Sequence, residues 1–496
     1  MTWRCALAAL LCVVGSRVAS AVDVSGRLTV AGKGDPTAWR VAAMIEPVAE
    51  LPADLTTAPV AADGTFKLTG VTLGRSWAVP YLGRYLDLKG MPPTRILSDE
   101  PLDLQVEGSR TTLQLEVTGP HRLALGREVT AHLFGPWGAW DASTGGTKVA
   151  ADGTLTYTGL PAGSYDLWVD TVAGAKSPTE AAAAIIHHIE VTAGAAPQKA
   201  KVELPAAGAL HGKLTLGAGS AKGWVISSGT GGEPQPGDKS PESVYAQGAA
   251  NGYSWAQVAE DGSFTLPQLP EGPVQLDVRR PGETRAWWSF EAEVKPEAVT
   301  ELGELKVPTT SWQHLLNGRD MTGWTDAELT GRKPCWVASR RLYVPCGDDL
   351  SGVVYKAGEI PAWDYEVTVQ GMRAEGNDFF CGLTFRVGDS PCTLICGGWG
   401  GAITGLSSID GEDASQNQTS QFFQYDNWRW YRARVRVTHD RIKCWLDDKP
   451  LIDVPLAEHK FSVRWEVEPT MPFGLATWRT TGAIRDLRVR QLPAKG

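Results

Sequence analysis

The sequence lacks the charge patterns and apolar runs that mark several common classes of protein. Its formal net charge is -9 over 496 residues, and no run of like charges occurs, which argues against nucleic acid as a partner. Beyond the N-terminus no segment is apolar enough to cross a bilayer, so we expect no membrane insertion. The Gly-x-Ser-x-Gly elbow, the paired-histidine metal helix and the phosphate-binding loop are also missing, which excludes the enzyme classes that those motifs define.

Apolar residues at helical spacing are nearly absent, whereas turn-forming residues are abundant. The chain has 55 glycines and 32 prolines, and alternating apolar segments lie between them, which is typical of an all-β protein. A chain of this length exceeds what one hydrophobic core holds, so we expect three to four domains.

The N-terminus has the pattern of a secretory signal over residues 1–21. Arg4 supplies the positive charge, residues 5–14 are apolar, and Ala19 and Ala21 form a small-x-small cleavage site. We therefore predict a secreted, periplasmic or cell-surface protein, with association with the cell envelope as a further expectation.

The cysteines agree with export. Two of the eight lie in the signal, and the other six lie after residue 309. An even number of cysteines in an exported domain predicts disulfides, with Cys335 and Cys346 as the favoured pair because they flank a short hairpin. Zinc is the alternative, although the Cys392-x3-Cys396 spacing has no histidine close by. We expect no cofactor, with structural calcium as an open alternative.

One phrase recurs three times before residue 309. Each copy has Asp-Gly followed by an alternating strand, at Asp63-Gly64, Asp152-Gly153 and Asp261-Gly262. Glycine tolerates the positive φ of a tight turn, and the alternation predicts a half-buried strand. The repeat is about a hundred residues long and resembles the carboxypeptidase-regulatory-like and Ig-like sandwiches of exported proteins.

The last third of the chain carries a different set of motifs. It opens with Asn317-Gly318-Arg319-Asp320-Met321-Thr322-Gly323-Trp324 and closes with Ile484-Arg485-Asp486-Leu487-Arg488-Val489. Over residues 309–492 this order resembles the 3-keto-disaccharide hydrolase family. The resemblance implies a concanavalin A-like jelly roll that acts on glycosidic bonds.

Together these patterns predict an all-β fold class, with tandem Ig-like β-sandwiches followed by a concanavalin A-like jelly-roll sandwich. The predicted boundaries are a signal at 1–21, Ig-like sandwiches at 22–118, 119–205 and 206–308, and the jelly roll at 309–496. In the jelly roll Arg432, Arg434 and Arg436 alternate with apolar residues. This arginine ladder is expected to face solvent or the edge of the opposing sheet.

The segment around Trp399 is the strongest local sign of a binding site. Glycines flank the ring on both sides, which allows a ligand to approach the backbone closely, and flat rings stack on sugar faces. Trp478 and Trp428 are further aromatic candidates near strand ends. The alternative is that these rings pack in a core and that the glycines form a bulge.

The loop after residue 406 gathers carboxylates and amides that suit sugar hydroxyls. Asp410 and Glu412 are the candidate catalytic pair, because two carboxylates can perform acid–base cleavage of a glycoside. A solvated loop or a calcium site are the alternatives. The candidate substrate-binding residues are Arg386, Trp399, Gln421, Tyr425, Trp478 and Arg479.

We therefore predict an exported carbohydrate-active protein that cleaves ordinary or 3-keto glycosides through its C-terminal jelly roll. This activity follows from the resemblance alone. The rival interpretation is a non-catalytic glycan-binding or cell-envelope adhesion protein. Cleavage predicts two carboxylates, or a carboxylate and a histidine, close together; binding alone predicts an aromatic platform without such a pair.

Overall fold

In the computed structural model nearly all regular secondary structure is β-strand, which confirms the all-β fold class. It describes residues 21–32, 34–44, 56–82, 85–86, 94–108, 110–119, 129–135, 138–139, 146–170, 182–183, 185, 187–192, 194, 196–228, 254–309, 311–338, 340–427 and 429–492. The predicted signal up to residue 20 and the candidate Trp428 lie outside these residues, and Ala21 begins the first strand. Within the described ranges no helix could span a membrane.

Three small sandwiches occupy the chain up to residue 306. The first contains β1 (Ala21–Ala31), β2 (Trp39–Met44), β3 (Thr56–Pro59), β4 (Thr65–Thr72), β5 (Ser76–Leu82), β6 (Tyr85–Leu86), β7 (Thr94–Ile96) and β8 (Leu102–Glu107). The second contains β9 (Arg110–Thr118), β10 (Thr130–Gly135), β11 (Gly138–Ala139), β12 (Thr147–Lys148), β13 (Thr154–Pro161), β14 (Gly163–Asp170), β15 (His187–Val191) and β16 (Gln198–Glu203). The third contains β17 (Gly208–Thr215), β18 (Val225–Ser227), β19 (Trp255–Gln257), β20 (Ser263–Leu269), β21 (Gly272–Arg279), β22 (Trp288–Val294) and β23 (Val299–Lys306).

The three sandwiches share one topology. In each, a three-stranded sheet has its first strand in the middle, in the orders β4-β1-β8, β13-β9-β16 and β20-β17-β23. The middle strand pairs antiparallel with the strand after the Asp-Gly turn and parallel with the last strand. The predicted boundary after residue 118 would include β9 in the first sandwich. In the structure β9 pairs with β13 and β16 of the second sandwich.

The Asp-Gly turn has the same geometry in all three repeats. The carboxylates of Asp63, Asp152 and Asp261 each accept the backbone N–H and the hydroxyl of the residue two positions later, at 3.0 and 2.7 Å. The glycine that follows has φ between 83° and 87° in every copy, where a side chain would be strained. The repeated phrase therefore encodes a repeated turn.

The C-terminal domain is a larger sandwich of two sheets. Its strands are β24 (Gln313–His314), β25 (Trp324–Asp326), β26 (Trp336–Ala338), β27 (Arg341–Val344), β28 (Leu350–Tyr355), β29 (Tyr365–Glu375), β30 (Cys381–Val387), β31 (Ser390–Gly398), β32 (Ile403–Ser407), β33 (Gln421–Phe422), β34 (Trp430–Val437), β35 (Arg441–Leu446), β36 (Lys449–Pro455), β37 (Gly474–Trp478) and β38 (Thr481–Gln491). One sheet has eight strands, in the order β26-β27-β38-β29-β34-β35-β36 with β24 beside β38. The other has seven, in the order β25-β28-β37-β30-β31-β32-β33. The largest apolar core of the protein lies between them.

Two of the three arginines of the ladder on β34 are buried and Arg436 is 25% exposed, so the expectation that the ladder faces solvent was wrong. Arg432 is 1% and Arg434 3% exposed. Arg432 donates two hydrogen bonds to Asp448, at 2.6 and 2.7 Å, and Arg434 contacts both Glu366 of β29 and Glu291 of the third sandwich. The third sandwich therefore covers the ladder and supplies one of the carboxylates that pair with it. The alternation of residues within one strand cannot predict a contact of this kind.

The first sandwich covers another part of the same face. Trp77 and Tyr343 lie 6.0 Å apart between ring centroids, within a buried cluster that joins β2 and β5 to the eight-stranded sheet. At its edge Arg95 forms an ion pair with Glu375 at 3.2 Å. The outer face of the eight-stranded sheet is thus an interdomain surface, which leaves the seven-stranded sheet and its loops for contact with ligands.

The ion pairs of this interface predict a loss of stability in acid. Burial alone would raise the pKa values of Asp277 and Glu366, but the arginine charges around each carboxylate outweigh it and hold both pKa values below their usual range. Because the folded-state pKa values lie below the unfolded ones, the stabilisation is complete above pH about 4 and is lost as the pH falls below that value. Denaturation midpoints measured from neutral to acidic pH check this. The Asp277→Asn variant should show a shallower decline, and an unchanged profile would contradict the assignment.

Candidate functional site

The predicted site residues fall at two opposite ends of the seven-stranded sheet. One side of the sheet, which we call the Trp399 end, holds the last residues of three strands, namely Trp478 of β37, Gly398 of β31 and Phe422 of β33. Arg386 of β30 and Ser407 of β32 mark the other side, which we call the Asp410 end. The eight candidates therefore do not form one cluster.

The middle of the outer face between these ends is packed with apolar side chains. Gly352, Ala476 and Gly382 form one row across adjacent strands, and their small size makes room for neighbours. A Cβ on Gly382 would lie 3.1 Å from the Phe379 ring, and one on Gly352 would lie 3.0 Å from Leu329. The cluster above the row contains Leu329, Leu350, Phe379, Ile395 and Val467. Polar ligands are therefore excluded from the centre of this face.

At the Asp410 end a carboxylate and a histidine are in direct contact. The Asp410 carboxylate lies 2.7 Å from Nδ1 of His459 and accepts the backbone N–H of Lys460, also at 2.7 Å. These two hydrogen bonds lower the pKa of Asp410, the one with His459 contributing most. Nε2 of His459 has no hydrogen-bond partner among the described residues, and the histidine side chain is 23% exposed.

Two chain segments hold this pair in place. Ser408 and Ser462 exchange backbone hydrogen bonds of 2.7 and 3.1 Å, and the backbone N–H of Asp410 donates to the carbonyl of Lys460. Arg464 adds an ion pair with Asp413 at 2.8 Å. The loop that follows β32 is thereby fastened to the segment that follows β36, although the two are about fifty residues apart in sequence.

The second predicted catalytic carboxylate is not part of this pair. Glu412 is exposed, and its side chain has no hydrogen bond or ion pair with the described residues. Its backbone exchanges hydrogen bonds of 2.9 Å with Ile409, which closes the turn that carries Asp410. Arg386 lies at this end of the sheet, and its carbonyl accepts the hydroxyl of Tyr365 at 2.6 Å.

The Trp399 end forms an open cleft of about 470 Å³. Trp399 is 39% exposed in the turn after β31, with φ of 50°, and Phe422 beside the cleft is 83% exposed. The Asp378 carboxylate fixes this turn by accepting the backbone N–H of Gly400 at 2.9 Å. The predicted close approach to the backbone is therefore possible at Gly400 and Gly401.

Four further candidates at this end occupy different environments. The Tyr425 ring is in the core, where its hydroxyl bonds Thr404 at 2.7 Å, so the phenol cannot reach a ligand in the cleft. Arg479 pairs with Asp349 at 2.6 Å, and Trp478 packs against the apolar cluster of the outer face. Gln421 is exposed in β33.

Two residues of these ends were not predicted from the sequence. His459 lies in a segment without any motif, and only the fold brings it to Asp410. Arg373 is on β29 of the opposite sheet, yet it lines the cleft at the Trp399 end. No local signal in the sequence marks either residue, because both contacts are long-range.

All six described cysteines are free thiols, so the predicted Cys335–Cys346 disulfide is not confirmed. The hairpin register pairs Trp336 with Tyr343, which does not bring Cys335 opposite Cys346. Within the described part of the chain no group of three or more His, Cys, Asp or Glu side chains is placed to hold a metal ion.

Comparisons with known proteins support one assignment, for the C-terminal domain. Residues 311–490, a little over a third of the chain, match the family model described as a 3-keto-alpha-glucoside-1,2-lyase-like domain. No match was found among curated proteins. The N-terminal assignment to carboxypeptidase-regulatory-like repeats stays a prediction.

Three solved structures are distantly similar to the chain. The Bacillus anthracis TIE protein is 11% identical, with a TM-score of 0.16. The similarity covers 58% of this chain and 51% of that one, so the chain spans about half the length of the TIE protein. A putative glycosyl hydrolase from Parabacteroides distasonis is 11% identical, with a TM-score of 0.24 and coverage of 37% of this chain and 94% of that one. The carbohydrate binding module CBM66 from Bacillus subtilis is 18% identical, with a TM-score of 0.22 and coverage of 34% and 94%. Similarities this weak carry no functional argument.

Proposed function

We propose that the C-terminal sandwich cleaves the glycosidic bond of 3-keto glycosides by elimination between C1 and C2. The match of residues 311–490 to the lyase-like family supports a carbohydrate-related function. The observation that carries the step to cleavage is the contact of Asp410 with His459 at 2.7 Å, with Nε2 of the histidine left without a partner among the described residues.

The chemistry of such a substrate suits this pair. A ketone at C3 acidifies the hydrogen on C2, so a modest base can remove it. In the proposed step Nε2 of His459 takes that proton, the C1–C2 double bond forms from the C2–H electrons, and the C1–O bond breaks. Asp410 is ionised near neutral pH, as aspartates ordinarily are, and its hydrogen bond with His459 lowers its pKa further. It accepts a hydrogen bond from Nδ1–H of His459, and this tautomer leaves the lone pair on Nε2.

The leaving oxygen needs a proton, and the protonated form of Glu412, which regains its proton from water after each turnover, is the proposed donor. It is exposed, lies two residues from Asp410 on the same turn, and its carboxyl group is not engaged by other described residues. Arg386 is proposed to contact the substrate at this end. Trp399, Gln421, Trp478 and Arg479 at the opposite end, with the backbone of Tyr425, are proposed to bind further parts of a longer glycan. We also propose that the protein acts outside the cytoplasm, at or beyond the cell envelope.

A non-catalytic glycan-binding role is the second candidate. It is favoured by the exposed rings of Trp399, Phe422 and Trp465, which are 39%, 83% and 76% exposed. Exposed flat rings provide stacking surfaces for sugars. Under this interpretation the domain would bind a glycan at the cell envelope without breaking it.

Incubation with a panel of glycosides and their 3-keto forms separates the two candidates. Released sugar and retained binding are measured together on the full chain and on the Asp410→Asn and Glu412→Gln variants. We expect release from the 3-keto forms only, loss of release in Asp410→Asn, and slower release in Glu412→Gln. Full activity of Glu412→Gln would remove the proposed acid, and binding without release by the native chain would favour the second candidate.

A further inference from the structure

Arg373 differs from the other buried arginines of the described chain in its lack of a carboxylate partner. Five arginines are at most 7% exposed, and four of them have an Asp or Glu oxygen within 4 Å. Those four are Arg279, Arg432, Arg434 and Arg488. Arg373 hydrogen-bonds only to neutral acceptors, namely Asn427 Oδ1 at 2.6 Å, the Tyr425 carbonyl at 2.5 Å and the Gly401 carbonyl at 3.5 Å. The carboxylates of Asp378 and Asp426 act on its charge without contacting it.

Arg373 is one of the residues that line the cleft at the Trp399 end. A Cβ on Gly401 would lie 2.9 Å from Arg373 Nη1 and 2.5 Å from the Asn377 carbonyl, so only glycine leaves the arginine room at this point. Asn377, Gly400 and Phe422 line the same cleft. A buried positive charge whose direct hydrogen-bond partners are all neutral can gain from an anion that contacts it from the cleft.

We propose that this cleft binds an acidic sugar, with its carboxylate on Arg373 and its ring against Phe422. A guanidinium has five N–H donors, and three contacts engage three of them here, which leaves two for a ligand. A planar carboxylate fits the guanidinium fork better than a neutral hydroxyl does. Burial lowers the pKa of Arg373, although an arginine remains charged at neutral pH.

The inference deepens the proposed function and rests on its carbohydrate part, but it concerns a site at the opposite end of the sheet from Asp410. A uronic acid residue of a longer glycan is the expected ligand class. Neither the histidine pair nor the family match requires a charged sugar, so the two proposals can fail independently.

Binding of D-glucuronate to the native full-length chain, measured by calorimetry, is the direct test. D-glucose is the uncharged counterpart, and acetate supplies a carboxylate without the ring. We expect glucuronate to bind about tenfold or more tightly than either probe, and added salt to weaken it. Equal binding of glucose would overturn the role of the charge, and equal binding of acetate would overturn the assignment to a sugar.

Variants locate the site without depending on one substitution. Arg373→Gln should lose about tenfold or more in glucuronate affinity, and Arg373→Lys should recover part of it, because an ammonium keeps the charge but not the fork. Phe422→Ala changes an exposed ring and should weaken glucuronate binding while the fold persists. Arg441→Gln, which breaks an exposed pair with Asp453 on the other sheet, is the matched control. Unchanged binding in folded Arg373→Gln or in Phe422→Ala would overturn the placement. His459→Ala should keep glucuronate binding whether or not it cleaves glycosides.

Discussion

Replacement of His459 by alanine should lower kcat/KM toward a 3-keto glycoside by about 10²- to 10⁴-fold, the range for loss of a general base. In the proposed step the imidazole takes the C2 proton, and its Nδ1 lies 2.7 Å from Asp410. Its side chain is 23% exposed, so truncation should leave the core intact. Initial rates of sugar release from the purified full-length chain measure the effect.

The control for this substitution is a second histidine–aspartate pair in the same domain. His439 Nδ1 lies 3.0 Å from Asp364, and this side chain is 67% exposed on the eight-stranded sheet. His439→Ala should therefore leave the rate unchanged. Equal losses in both variants would indicate damage to the fold, and full activity of His459→Ala would remove the proposed base.

Replacement of Asp277 by alanine should destabilise the protein by about 3–5 kcal/mol, because it leaves a buried guanidinium without its main partner. Arg488 is 1% exposed and donates to both oxygens of Asp277, at 2.9 and 3.0 Å. Ser289 donates to the same carboxylate at 2.6 Å. The other carboxylate near Arg488 is Asp486, at the longer distance of 3.7 Å.

The midpoint of denaturation by guanidinium chloride, followed by tryptophan fluorescence, measures this loss. A multidomain chain need not unfold in one step, so the shift is compared with that of Asp453→Ala. Asp453 pairs with Arg441 at 2.6 Å on the surface, where both side chains are more than a third exposed, and a pair of that kind contributes about 0–1 kcal/mol. Equal shifts in the two variants would show that the third sandwich does not pack on Arg488 in solution.

Local features of the fold were predictable from the sequence. Asp63-Gly64 and its two repeats predict a turn, because the hydrogen bond of the aspartate and the positive φ of the glycine involve only neighbours in sequence. Alternation placed Val435 and Val437 of β34 in the core, where both are fully buried. Signals of this kind need no knowledge of distant contacts, which is why the all-β class and the succession of sandwiches could be derived.

The contacts between distant segments were not predictable. The arginines of β34 have the pattern of a solvated strand, and only the docking of the third sandwich buries Arg434 against Glu291. Tyr425 follows an exposed strand in sequence, but tertiary packing buries its ring and brings its hydroxyl group to Thr404. Asp410 was identified from the composition of its loop, whereas His459 follows a different strand and required the fold. The candidate pair therefore becomes visible only in three dimensions.

Release of 4-nitrophenol from 4-nitrophenyl 3-keto-α-glucoside, beside 4-nitrophenyl α-glucoside, tests the central claim most directly. The two substrates differ only at C3, where the ketone acidifies the C2 hydrogen. We expect the full-length chain to release 4-nitrophenol from the 3-keto substrate alone, and the Asp410→Asn variant to release much less. Equal release from both substrates would contradict proton removal at C2, and release from neither would contradict cleavage by this domain.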